Sequence, residues 1–153
     1  MRDLWKLQVG WDEQLGEDMV KQFNGLLPDF NNLASITFPR SVCWKEDNDS
    51  ILHIFCDASN EAYGCVAYVV SGLGSNILMS RSRVAPMKAK TTPQLELTAV
   101  LLGCRLAKYI CNTLPNKFQV IVWSDNLPCL QWVDSNKSSI VYVRNRVSEI
   151  SSL

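Results

Sequence analysis

Histidine is nearly absent from this chain: His53 is the only one, and none of the six cysteines stands in a Cys-x-x-Cys pair. That speaks against a histidine-ligated zinc site. It also leaves a Ser-His-Asp triad dependent on a side chain inside an apolar run. No apolar run reaches membrane-spanning length; the longest, Leu95 to Ile110, is broken by Glu96, Arg105 and Lys108. The opening residues, Met1 to Lys6, lack the apolar core of a signal peptide. Net charge is missing too, because fifteen basic and fifteen acidic residues cancel. Any attraction for nucleic acid has to come from local patches. The cysteines sit mostly inside apolar runs, where a free thiol behaves as a small hydrophobe, and they read as reduced thiols of an intracellular protein.

What is present is apolar bulk: 153 residues that are 47% hydrophobic suit one globular domain with a sizeable core. Residues 1–45 differ in character and read as a helical lead-in packed on a main domain, 46–153. The spacing of Leu15, Met19, Phe23 and Leu26 predicts a helix over about 13–27, ending near Gly25 and Pro28. A second apolar stretch runs from Leu33 to Phe38. The five tryptophans, in mostly apolar surroundings, read as core rather than as base-stacking platforms.

The main domain opens with a nearly continuous apolar run, Ile51 to Cys56, that stops at Asp57-Ala-Ser59. Such a run suits a strand covered on both faces. A tight turn over Ser59 to Ala62 leads to a second strand, 63–70, rich in β-branched and aromatic residues. Ser71 to Asn76 carries a hairpin signal, and 77–84 reads as a third strand with Arg81 and Arg83 on one side. These three strands form an antiparallel meander. Thr91-Thr-Pro93 then opens a helix that runs to about Asn112, with a polar stripe of Gln94, Thr98, Arg105, Lys108 and Asn112. Its apolar surface is wide enough to be buried on more than one side. A fourth strand, 119–124, ends at Asp125, and two short helices, about 127–134 and 140–151, close the chain.

The chemistry concentrates in three acids. A strand–helix–strand unit within one sheet gives parallel strands and a right-handed crossover. Asp57 and Asp125 therefore meet at the carboxyl ends of neighbouring strands, where open sheets hold ligands. Glu96 lies on the line Val100, Gly103 and Ala107, a small apolar line that approaches a sheet closely. A first-turn position would favour its charged form through the helix dipole. Taken singly, Asp57 also reads as a turn cap, Asp125 as a helix N-cap and Glu96 as a solvated acid. Taken together, three carboxylates at one spot repel by about 4 kcal/mol per pair at 4 Å and an effective dielectric near 20. A divalent cation or a raised pKa offsets that cost. Carboxylates without His or Cys select hard ions, Mg²⁺ or Mn²⁺. Arg81, Arg83, Lys88 and Lys90 form a basic cluster beside this site, suited to phosphate contact or to a solvated loop.

These residues carry a resemblance. Cys-Asp57-Ala-Ser with Ala-Tyr-Gly64-Cys-Val, Gln-Leu-Glu96-Leu-Thr and Trp-Ser-Asp125 resemble the ribonuclease H domain of retroelement reverse transcriptases. Leu4 to Leu7, Gly10 to Asp12, Phe38 to Arg40, Ser82 to Pro86 and Asn145 to Ile150 are similar to the BEL/Pao retrotransposon polyprotein, over nearly the whole chain. The resemblance implies an α/β ribonuclease H-like mixed sheet, three antiparallel strands plus a parallel fourth, with flanking helices. It implies cleavage of the RNA strand of RNA–DNA hybrids with two magnesium ions, Asp57 bridging both and Glu96 and Asp125 helping to hold one. It implies reverse transcriptase and integrase segments of the same polyprotein as partners, and no membrane. It also implies a fifth strand and a helix bearing a fourth acid, and the chain stops at Leu153 before both. Glu149 belongs to an earlier stretch and does not replace that acid. Asn126 and Pro128 depart from the residues commoner after the third acid. The expectation for the isolated chain is weak or no nuclease activity. The rival reading is a catalytically incomplete relic or a non-catalytic nucleic-acid-binding or scaffold module. An ATP-binding domain is disfavoured, since neither strand end has a glycine-rich phosphate turn.

Overall fold

The structure is a computed structural model that describes residues 2–37, 42, 50–88, 90–115, 118–135 and 138–153. It divides into two compact units, Met1–Ser41 and Val42–Leu153. The Phe38-Pro-Arg40 motif and most of the connector after it lie outside the described residues.

The first unit holds α1 (Arg2–Leu7) and α2 (Glu17–Leu33). The sequence reading placed a helix over 13–27; α2 instead starts at Glu17 and passes through Gly25 and Pro28. Its apolar stripe continues past the proline as Phe30 and Leu33, so the helical period outlasts the single backbone bond that a proline removes. No side chain of α2 is buried.

The second unit contains β1 (Ile51–Ala58), β2 (Ala62–Ser71), β3 (Gly74–Val84), α3 (Thr92–Thr113), β4 (Gln119–Trp123), α4 (Leu127–Ser135) and α5 (Val141–Ser152). Among the described residues the sheet has four strands in the order β3-β2-β1-β4. β1 runs antiparallel to β2 and parallel to β4, and β2 runs antiparallel to β3. This is the mixed ribonuclease H-like sheet expected from the sequence. A bulge at Ala67/Tyr68 adds Leu78 to β3 without changing which side Arg81 and Arg83 take.

α3 starts where expected because Thr91 precedes it in extended conformation with Pro93 just inside. The Thr91 N–H donates to Gln94 Oε1 at 3.3 Å, tying the first turn down. Its inward line does what small residues allow. A Cβ built on Gly103 would lie 2.9 Å from Ile54 Cγ2 and would collide with Cys56 Sγ. The helix axis therefore sits close against β1. The core gathers Leu52, Ile54, Ala67 and Val69 from the sheet with Leu97, Leu106 and Ile110 from α3. Cys129, Val143 and Val147 join from α4 and α5. Full burial of a side chain such as Leu106 contributes about 2 kcal/mol. The second buried side of α3 faces α4 and α5, as its wide apolar surface predicts.

One expectation fails. β1 is covered on one face, not two: Leu52, Ile54 and Cys56 are buried, whereas His53 is half-buried and Phe55 is 46% exposed. The open face carries His53, Phe55, Tyr68 and Trp123 as touching rings. A run without polar breaks hid a period-two alternation between aliphatic and aromatic residues. The tryptophans correct the same way. Trp132 packs against the core, but Trp123 is 47% and Trp11 94% exposed; the Trp5 side chain and Trp44 lie outside the described residues. Among the described residues no helix is long and apolar enough to cross a membrane.

Candidate metal centre

Asp57 is the last but one residue of β1, Asp125 follows the last residue of β4 by two, and Glu96 is the fifth residue of α3. The parallel register pairs Phe55 with Trp123, which sets the two aspartates level at one end of the sheet. α3 lies close enough to β1, through Gly103, for Glu96 to reach the same end. Asp57, Glu96 and Asp125 each offer a carboxylate oxygen, and these oxygens all lie within 4.8 Å of one another.

The three differ in environment. Asp57 and Asp125 are exposed, and Glu96 is only 4% exposed. Asp57 Oδ1 accepts the Ala58 N–H at 2.7 Å, which fixes its orientation. Glu96 Oε2 is buried and has no hydrogen-bond partner among the described residues. Burial pushes the Glu96 carboxyl from 4.5 up to about 7. Asp57 and Asp125 add to that rise, and a hydrogen bond from the Ala58 backbone opposes it. Glu96 lies beyond the first helical turn, where no acid is found. The expected help from the helix dipole is thus outweighed by burial and by the two aspartates.

A buried, unpartnered carboxylate oxygen facing two exposed acids is costly without a counter-charge. An all-oxygen set of this kind fits a hard divalent cation. Beside Asp57, an open groove of about 390 Å³ runs past Phe55, Ala58, Gly64 and Ser82. Gly64 stands opposite Asp57 in β2 and keeps that floor low.

Sequence reasoning missed what Asn126 does. Its Oδ1 accepts the Cys129 N–H at 3.0 Å and caps α4, while its own N–H donates to Ser124 Oγ at 3.3 Å. The helix cap is therefore Asn126, and Asp125 is left free to face the other acids. The Asn-x-Pro spacing before an apolar run was the available signal. Glu149, set aside in the sequence, forks onto Arg105 at 2.7 and 2.9 Å.

The basic residues do not converge on one partner. Arg81 lies over the Tyr109 ring at 5.4 Å and Lys90 over the Tyr142 ring at 4.3 Å. Arg83 and Lys88 are exposed.

A family model, the Pao retrotransposon-like RNaseH-like domain, matches residues 1–126. The chain belongs to that family. The match covers all three acids of the cluster, so the Pao family's RNase H-like sheet is what brings them together here. No curated protein matches the chain. Among solved structures it is similar to the NurA nuclease from Sulfolobus solfataricus, at 10% identity and a TM-score of 0.41. The alignment covers 89% of this chain and 54% of that one, so the chain spans about half the length of that nuclease.

Proposed function

We propose that this Pao-family domain is a metal-dependent nuclease of the ribonuclease H type, acting on the RNA strand of RNA–DNA hybrids. The observation that carries the reading is the convergence of Asp57, Glu96 and Asp125, with Glu96 Oε2 buried and unpartnered. These three residues would hold Mg²⁺ or Mn²⁺. When bound, such a cation supplies charge stabilisation at a phosphoryl oxygen and a water of lowered pKa.

The chain's own contribution is placement. Glu96 forms a floor that water reaches poorly, and its charge appears only when a counter-charge is present or the pH exceeds about 7. Asp57 and Asp125 stand exposed at the mouth, one near the end of β1 and the other between β4 and the Asn126-capped α4. The open groove beside Asp57, past Phe55, Ala58, Gly64 and Ser82, offers room for a nucleic-acid backbone. Within a polyprotein, the reverse transcriptase and integrase segments would be its neighbours.

The test is single-turnover cleavage with the chain in excess over an end-labelled RNA–DNA hybrid, in Mg²⁺ and in Mn²⁺. The expected result is slow, metal-dependent scission of the RNA strand that Asp57→Asn abolishes. Scission that ignores the metal and all three acids would refute the assignment; no scission together with no Mn²⁺ uptake at the three acids would favour the non-catalytic reading.

A further inference from the structure

Within the first unit, α2 carries an apolar stripe that plays no part in the nuclease reading. Met19, Phe23, Leu26, Phe30 and Leu33 recur at alternating intervals of four and three residues. That is the spacing of a helix seam that stays turned toward a neighbouring helix. Val20 and Leu27 widen the stripe on one flank, and Gln22 and Asp29 border it on the other. The opposite side holds Lys21, Gly25, Pro28 and Asn32. Both helix-weakening residues thus stand on the outward side, where water can satisfy the carbonyl that a proline leaves free.

The stripe is open. Val20, Phe23, Leu26, Leu27, Phe30 and Leu33 are 40–57% exposed. At roughly 200 Å² for a large apolar side chain, they leave about 600 Å² of contiguous apolar surface, the upper end of what a soluble monomer shows. Gly25, Pro28, Asn24, Asn31 and Asn32 give α2 weak intrinsic helicity, so the helix depends on having this face covered. Two features select a second copy of the chain as the cover. Two stripes laid face to face bury about 1,200 Å², which reaches the lower bound of a stable interface. Two α2 helices running in opposite directions also set like flank against like flank. Val20 and Leu27 of one meet the same residues of the other, and Gln22 faces the other copy's Asp29. Apolar surface meets apolar surface, an amide meets a carboxylate, and the helix dipoles oppose. At the positions that flank the seam Asp29 is the one charge, so no charge pattern selects an unlike partner.

We propose that α2 is an association helix on which two copies of this chain pair, antiparallel and two-fold symmetric. The surface is independent of the three acids, and its test needs neither metal nor substrate. The sequence pointed to the first half of the stripe through Met19, Phe23 and Leu26. Its continuation through Phe30 and Leu33 is what gives the seam the length of a pairing helix.

Sedimentation velocity of the full chain in reducing buffer, over a dilution series, reads the assembly state. Wild type should show a monomer–dimer equilibrium with a dissociation constant on the order of micromolar, as befits a small apolar interface. Phe23→Ala, Leu26→Ala and Phe30→Ala each enter a symmetric interface twice and should raise that constant about tenfold or more. Alanine is the best helix former, so weaker pairing in these variants does not reflect failure of α2 to form. The core of the second unit contains none of these side chains, so its folding is spared. Lys21→Gln and Asn32→Ala, on the outward side, should leave the constant within about twofold. Raising NaCl should not weaken the dimer, because the seam is apolar. A dimer that the three alanine variants leave intact, or one that salt dissociates, would overturn the proposal. Wild type that stays monomeric throughout would also overturn it and assign the stripe to an unlike partner.

Discussion

Glu96 carries the electrostatic cost of the site. Its carboxyl titrates near 7 when folded and near 4.5 when exposed. Between those values the folded chain holds the proton that the unfolded chain has released. Metal-free stability is therefore fully present below pH 4.5 and is lost as pH rises through 7. The loss amounts to about 3 kcal/mol at the conversion of 1.36 kcal/mol per pKa unit. Urea unfolding at pH 4.5 and pH 8 should show Glu96→Gln matching wild type at the lower pH and exceeding it by up to that amount at the higher. A variant that is no more stable at pH 8 would mean Glu96 is not buried against like charge. The thiols give an independent check. Cys56 and Cys65 are buried with thiols pushed up by desolvation, and burial lifts Cys129 to about 12. A thiol-specific chromogenic reagent should leave these three unreacted in the native chain and titrate all six in denaturant.

The helix α3 positions the site through one contact. Gly103 ordinarily costs a helix about 1 kcal/mol relative to alanine. Here a methyl would press on Ile54 and Cys56, so Gly103→Ala should destabilise by roughly 1–3 kcal/mol rather than stabilise. Because the same contact sets how far Glu96 reaches, divalent-cation affinity should fall with it, measured on the folded fraction. A more stable variant with unchanged affinity would show that the helix has room to spare. Two residues further along α3, Arg105 holds Glu149, so Glu149→Gln should leave cation binding unaltered. The strands and helices of this unit were legible within a residue or two, apart from an earlier start to β3. Their ends carry Pro, Asn, Gly and Asp where the period breaks. α2 was not, because its apolar stripe runs on through Pro28 and contradicts the breaker.

For the whole molecule, topology did what local sequence could not. Asp57, Glu96 and Asp125 were each ambiguous alone and became a cluster only through the parallel pairing of β1 with β4. The strand–helix–strand order allowed that pairing to be foreseen. The open sheet face was not foreseen. Covered and uncovered faces of β1 are both apolar, and hydrophobicity cannot distinguish a buried Ile54 from an exposed Phe55. On that face the Trp123 Nε1–H donates to His53 Nδ1 at 2.9 Å, which leaves the imidazole proton on Nε2. The same limit hid the Tyr142–Arg146 pair, whose partner Lys90 lies across a tertiary contact.

The claim that three distant carboxylates share one cation is tested most directly by calorimetric titration of Mn²⁺ into the chain at pH 7, in buffers of different ionisation enthalpy. Wild type should bind and release about half a proton, the share that Glu96 still holds at that pH, with release fading by pH 9. Asp57→Asn, Glu96→Gln and Asp125→Asn should each abolish or sharply weaken binding, and Glu96→Gln should abolish the proton release. Binding that survives all three substitutions, or wild-type protein that takes up no cation, would contradict the account.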